Sequence, residues 1–401
     1  MQPDSPPPRA SLGLMLNLLA QLAFGLLAMT ICLPSMQAWP GVFDASQAAV
    51  QLTFSGYIAA YGCLQLVWGP LSDRLGRRPV LMGGLVIAIA GSVLAALAPS
   101  LTVLTVARLI QGAGCAAGMV AGRAMVQDYF SGPDRTRMMA FVGMTMGLCP
   151  PAATLLGGQI HVRLGWQGNF ALMAVLGAVL LVAAWRLPRV PRPPATGGGA
   201  AALLAGYARL AREPAFVLHV VILSSLTAAF YTFLGGTPLV LAGYGVPPQD
   251  IGWTIMAIPG SYIVGNALTT RLVHRIGDRR LMTAGQIATH AGILGVLACA
   301  LAGWNTPLSL ALPLVLMGIG HGLLVPPTLA GTVGLIPALA GSAAAVGGVM
   351  QQLVGALAGF VVGLVPHHGA AAMGALMLGW TVLGLLAQFA LARTRPRAAA
   401  A

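Results

Sequence analysis

The sequence predicts an all-α integral membrane protein with twelve transmembrane helices in two six-helix halves related by pseudo-two-fold symmetry. Composition gives the first reason. Only 7% of the 401 residues are charged, 57% are hydrophobic and the mean hydropathy is +0.85, so most of the folded surface must face lipid rather than water. Periodicity gives the second. A helix needs about 20 apolar residues to cross roughly 30 Å of hydrocarbon, and uncharged runs of that length recur along the whole chain between short arginine-bearing clusters. Charge placement gives the third. All 21 basic residues are arginine, and nineteen of them fall on loops and tails of one side, leaving Arg163 on the other side and Arg108 within a span.

Taken in order, the apolar runs place spans near 12–35, 48–69, 80–98, 101–122, 138–160, 168–187, 216–236, 250–270, 281–302, 308–328, 342–364 and 371–392. The arginine bias puts both termini in the cytoplasm, as expected of a multi-pass protein of the plasma membrane. A formal charge of +13 therefore reports topology and attraction to the lipid bilayer, not a nucleic-acid partner. The first run, from Ser11 to Pro34, is too long for the core of a signal peptide and is expected to stay as the first span. Cys32, Cys63, Cys115, Cys149 and Cys299 each fall inside an expected span with no CxxC pair, and read as small packing residues.

Three regions are expected: an N-terminal half at 1–187, a cytoplasmic linker at 188–215 and a C-terminal half at 216–401. The linker carries Pro188, Pro191, Pro193 and Pro194, then Gly197 to Gly199, then a short helical stretch with Arg209, Arg212 and Glu213. The halves echo each other after spans 2 and 8, where Asp73-Arg74-Leu75-Gly76-Arg77-Arg78 is matched by His274-Arg275-Ile276-Gly277-Asp278-Arg279-Arg280, with Gly76 and Gly277 separated by 201 residues. Half-chain repeats of this kind build many secondary transporters, with substrate bound near the membrane midplane.

The most specific motif is Gly69-Pro70-Leu71-Ser72-Asp73-Arg74-Leu75-Gly76-Arg77-Arg78-Pro79. Gly69 and Gly76 would permit a tight turn and close helix approach, and Asp73 could accept hydrogen bonds at a helix start and pair with arginine. Span 4 adds Arg108-Leu109-Ile110-Gln111-Gly112-Ala113-Gly114, and its end adds Asp128. Span 5 is rich in Gly143, Gly147, Pro150, Pro151, Gly157 and Gly158, the pattern of a kinked, closely packed helix.

These segments resemble those of the major facilitator superfamily. The likeness covers essentially the whole chain, and residues 24 to 160 most resemble the Bcr/CflA type of drug efflux transporter. The resemblance implies a cytoplasmic latch and conformational switch built on Gly69, Asp73, Arg74, Gly76, Arg77, Arg78 and Asp128, with Asp73 facing the start of span 11. It also implies a functional monomer that exports small amphipathic compounds in exchange for protons, giving multidrug resistance by alternating access. Two departures stand out. The span 5 motif usually carries a proline where Thr154 stands, and members commonly hold an aspartate where span 1 here has Thr30.

None of the eight acidic residues is expected deep in a span, so an acidic proton carrier is missing and neutral or anionic substrates are favoured over strong cations. An arginine well inside hydrocarbon costs at least about 2.5 kcal/mol, which makes Arg108 a functional candidate, with pairing to backbone carbonyls at a kink as the plainer reading. His321 in span 10, and behind it His290 in span 9, are the groups left to titrate near neutrality. Polar and aromatic residues at helical spacing mark further substrate or coupling candidates: Gln111, then Tyr57, Tyr61 and Gln65, then Tyr262 and Asn266, with Tyr231 in span 7 and Asn17 and Gln21 in span 1. No metal-ligand cluster, lysine-bearing phosphate loop or nucleophile set is legible, so neither cofactor nor enzyme activity is expected. A narrow exporter or importer of one metabolite is the nearest alternative; a membrane-embedded enzyme and a channel are more distant ones.

Overall fold

The computed structural model describes residues 12–188, 200–336, 339–366 and 369–394, and every regular element among them is helical. The helices are α1 (Leu12–Thr30), α2 (Trp39–Phe43), α3 (Gln47–Leu75), α4 (Arg77–Ala96), α5 (Leu101–Tyr129), α6 (Gly132–Trp185), α7 (Ala200–Ala211), α8 (Pro214–Gly243), α9 (Ile251–Ile255), α10 (Ala257–Ile276), α11 (Asp278–Leu301), α12 (Pro307–Gly334), α13 (Ala340–Val362) and α14 (Ala370–Arg393). Helix α6 is two spans in one 54-residue element, joined at Gly165, whose φ of +75° suits only glycine. With α6 counted twice and the short α2, α7 and α9 set aside, twelve segments are long enough to cross a membrane. Among the described residues composition alone picks out nine apolar stretches, because α6 counts once and α3 and α10 are too polar.

Several spans are longer than their apolar runs. Helix α3 continues past the expected residue 69 through Pro70 to Leu75, and α5 past residue 122 to Tyr129. Hydropathy marks where hydrocarbon ends, whereas a helix ends where its backbone hydrogen bonds do. Three helices that follow arginine-poor loops start on side-chain caps: Ser46 accepts from the Ala49 amide, Ser100 from Val103, and Thr306 forms a reciprocal box with Ser309. The linker residues Pro191, Pro193, Pro194 and Gly197 to Gly199, like Asp4, Arg9, Arg189, Arg192, Arg395 and Arg397, lie outside the described residues.

The chain divides into two compact units, Met1–Thr196 with Pro248–Gly252, and Gly197–Pro247 with Trp253–Ala401. Within the first, α5 packs on α4, α3 and α1, while α6 covers α1 and α4; within the second, α12 packs on α11, α10 and α8, α8 packs on α13 and α14, and α14 packs on α11. The same scheme thus occurs twice. It is built on matching glycines. Gly84 and Gly114 let α4 and α5 touch, as Gly285 and Gly320 do for α11 and α12; Gly91 and Gly292 lie on the same two interfaces, and Gly112 and Gly318 seat α5 on α3 and α12 on α10. A side-chain carbon at any of these eight would come within 3 Å of a neighbouring backbone atom.

Candidate functional site

Span 1 is broken. Helix α1 stops at Thr30 and the chain continues through a 3-10 turn, Leu33–Gln37, containing Pro34, so the last carbonyls of α1 lose their helical partners. Arg108 reaches them from α5, its Nη1 donating to the Ala28 oxygen at 2.8 Å and its Nη2 to the Met29 oxygen at 3.2 Å. Nη1 also donates to Gln111 Oε1, Gln111 Nε2 donates to Ser92 Oγ at 2.8 Å, and Ser92 Oγ donates to the Ala88 oxygen at 2.7 Å. The guanidinium lies 4.2 Å above the Tyr57 ring and 5.8 Å from that of Phe170, while the Tyr57 hydroxyl donates to the Gly25 oxygen at 2.7 Å. Carbonyls at a helix C-terminus carry its negative dipole end, and two aromatic faces add to the field, so Arg108 is balanced without a carboxylate. Among the described residues the ion pairs are those of Arg77 alone.

Arg108 is 0% exposed, and of the two readings open from its sequence the pairing with backbone carbonyls at a break in span 1 is the arrangement observed. Thr30 is equally enclosed, with its hydroxyl donating to the Leu26 oxygen at 2.9 Å. Asn17 and Gln21 donate to the Ala183 and Leu180 oxygens of α6, both at 2.9 Å, and serve as helix contacts rather than lining. Tyr61 is buried and stacks on Tyr57 at 6.0 Å, while Gln65 one turn further is half-buried. In the second unit Tyr262 and Asn266 are half-buried on α10, and the Tyr231 hydroxyl meets Gln352 Oε1 at 3.1 Å. His321 is 5% exposed, and its Nε2 has no partner among the described residues.

The arginine-rich turn after α3 is closed by Gly76, with φ +97° and ψ 156°, and its counterpart after α10 by Gly277, with φ +76° and ψ 162°. At the first turn Arg77 bridges Asp73 and Asp128, with Nε 3.1 Å from Asp128 Oδ2, and donates to Ser72 Oγ at 3.2 Å. Arg78 donates to the Trp185 and Leu187 oxygens. Gly69 lies inside α3 and turns nothing, and a side chain there would meet no atom within 4 Å. Gly143 and Gly147 are likewise open, so close packing in span 5 falls to Gly157 against the Ile31 backbone and to Gly158 against Pro248. Thr154 donates to the Pro150 oxygen at 2.8 Å and lies 3.5 Å from the Thr30 oxygen, tying α6 to the break in span 1.

Residues that sequence reasoning missed at this break are Ser92, Phe170, and the pair Asn169 and Ser35, joined at 3.0 Å. Trp39 is fully buried there, stacked on Phe170 at 6.3 Å and edge-on to Trp166 at 6.0 Å. Pro34 was the available signal, because a proline that ends a span inside the membrane leaves carbonyls needing a donor.

A polytopic helical protein made of two repeated halves, each holding polar groups in its interior, falls in the class of membrane transporters. The chain belongs to the Major Facilitator Superfamily, whose family model matches residues 14–359. It is 26% identical over 387 residues to multidrug resistance protein D of Escherichia coli (strain K12), covering 94% of each chain. It is 27% identical over 367 residues to a chloramphenicol resistance protein of Pseudomonas aeruginosa, covering 90% of this chain and 86% of that one. Among solved structures, a D-xylose-proton symporter superposes with a TM-score of 0.76 at 15% identity, covering 95% of this chain and 98% of the other, which speaks to the fold.

Proposed function

We propose that this transporter exports small amphipathic compounds, neutral or anionic, in exchange for protons. The observation that carries the substrate class is the placing of the acids: Asp44, Asp73, Asp128, Asp134, Glu213, Asp250 and Asp278 all fall at helix ends or in loops, and Thr30 stands where members of the Bcr/CflA type commonly hold an acid. A cation desolvated between the spans would find no counter-charge among these residues. Relatives named for multidrug and chloramphenicol resistance support export of drug-like molecules. On this reading residues 1–187 and 216–401 are the two working halves and 188–215 links them. The Asp73, Arg77 and Asp128 cluster acts as a conformational latch on the cytoplasmic side. The protein works as a monomer in the inner membrane with both termini in the cytoplasm, and His321, Tyr231, Tyr262, Asn266, Tyr61 and Gln65 are the residues to probe for substrate contact.

The test is the pH gradient of energised inside-out vesicles carrying the protein. Neutral chloramphenicol should dissipate it and a quaternary ammonium compound should not. Dissipation by the quaternary compound would overturn the substrate class, and export of chloramphenicol with the gradient untouched would overturn the coupling.

A further inference from the structure

The seam between α11 and α14 carries polar chemistry that the reading above leaves unused. Its register is set by three contacts. Gln388 Nε2 donates to Thr283 Oγ1 at 3.4 Å, Gly384 lies beside Gln286, and Gly374 lies against Val296 and Leu297. The two helices run antiparallel, so this register brings Trp380 opposite His290. Residues 283, 286, 290 and 297 recur at three- and four-residue spacing and share one face of α11. That face is polar from the arginine-bearing end as far as His290 and apolar beyond it. His290 lies about 18 Å along α11 from Asp278, near the middle of a membrane-spanning helix.

Gln286 is 2% exposed, yet neither end of its amide has a partner among the described residues; His290 Nε2, Trp380 Nε1 and Gln388 Oε1 are buried in the same condition. An amide buried without a partner is strongly unfavourable, so such a group persists where something hydrogen-bonds it. His290 Nδ1 is 2.8 Å from the Gln286 carbonyl oxygen, which can only accept, so Nδ1 carries the hydrogen and Nε2 offers its lone pair.

The fold does not require this chemistry. The matching positions of the first unit, 201 residues earlier, are Met82, Leu85 and Ile89, and Ile89 packs against Gly177 of α6. Titratable groups on the elements packed against α11 are His321 on α12, Tyr262 on α10, and Arg271, His274, Arg275 and Arg393 at the arginine-bearing ends of α10 and α14. Helix α11 itself adds Asp278, Arg279 and Arg280 at its start and Cys299 near its far end. None of these is a carboxylate near the middle of the span.

We infer that the α11/α14 seam is a hydrated proton half-channel, in which water bound by Gln286 passes protons between the arginine-bearing side and His290. Nε2 takes a proton from the water file to become imidazolium and returns it to the file on release, so protons and charge balance. The inference rests on the proton-coupled reading above and names its route.

The experiment uses proteoliposomes holding wild type, Gln286→Leu or His290→Gln, assayed in two modes: chloramphenicol uptake driven by an imposed pH gradient, and chloramphenicol counterflow with no gradient. Both variants should lose gradient-driven uptake at least tenfold and keep counterflow within twofold of wild type. Unchanged gradient-driven uptake in both overturns the half-channel and leaves proton coupling standing, whereas wild type showing counterflow without gradient-driven uptake overturns both. Where the variants lose both modes, or wild type does not carry chloramphenicol, hydroxyl-radical footprinting of wild type in bilayers decides. His290 and Trp380 should label at least fivefold faster than Phe389, which points outward from α14, and labelling no faster than Phe389 overturns the proposal.

Discussion

The two six-helix units share a packing scheme and differ in what they bury. In the first, three interior side chains form a chain of hydrogen bonds: Arg108 serves two backbone carbonyls and Gln111, Gln111 serves Ser92, and Ser92 returns to the backbone of α4. In the second, the position that matches Arg108 through the Gly112 and Gly318 contacts is Leu314, and the one that matches Gln111 is Met317. The polar groups there, Gln286, Thr289 and His321, are buried with atoms that have no partner among the described residues. The repeat therefore specifies where helices touch. It leaves each half free to place different chemistry behind those contacts, a guanidinium bonded to backbone carbonyls in one and an amide and imidazoles in the other.

Overpacking the shared contacts has the largest expected effect, and it tests whether they are equivalent. Gly91→Val and Gly292→Val each force a side chain into backbone atoms of the neighbouring helix, and both should cost more than about 3 kcal/mol and abolish recovery of monodisperse protein by size-exclusion chromatography. Tolerance at one and not the other would break the correspondence. Next comes Arg108→Met. It strips the donor from the Ala28 and Met29 carbonyls and from Gln111, and should lower stability by about 3 kcal/mol in a thermal melt, with Arg108→Lys intermediate because an ammonium cannot span the same set. His321→Leu is the counter-experiment in the other unit. Replacing an imidazole whose Nε2 is unpaired by an apolar side chain should leave stability within about 1 kcal/mol of wild type or raise it. A large loss would mean that His321 is bonded as firmly as Arg108.

The spans were legible because lipid imposes a minimum apolar length, and the repeat was legible because its turns need glycine. Gly76 and Gly277 both combine positive φ with extended ψ, which residues with a side chain tolerate poorly. The environment of Arg108 was not legible, since its partners are backbone carbonyls that carry no letter of their own, and Pro34 alone hinted at them. Gly143 and Gly147 look the same in sequence as Gly157 and Gly158, but only the latter pair meets another backbone. Helical spacing also could not separate Asn17 and Gln21, which tie α1 to α6, from residues that line a route for substrate. Spacing fixes a face, and the packing of the neighbouring helix decides what the face meets.

The smallest effects are expected at the paired glycine turns, where the comparison is sharpest because the backbones are alike and the charges are not. After α3, Arg77 is held between Asp73, whose side chain is 63% exposed, and Asp128, whose side chain is 22% exposed. After α10, Asp278 begins α11 with no ion pair among the described residues. An exposed pair is screened by water and contributes little, while a half-buried one with a hydrogen-bonded guanidinium contributes more. Asp128→Asn should therefore lower stability by about 1 kcal/mol, Asp73→Asn by no more than about 0.5 kcal/mol, and Asp278→Asn by nothing resolvable in the same thermal melt. The order matters more than the sizes. If Asp73→Asn leaves the melt unchanged but alters transport, its carboxylate acts on conformational exchange rather than on the fold of its own half, as a latch requires. If Asp128→Asn alone impairs both, the cluster is a brace inside the first unit, and the likeness of the two turns is structural only.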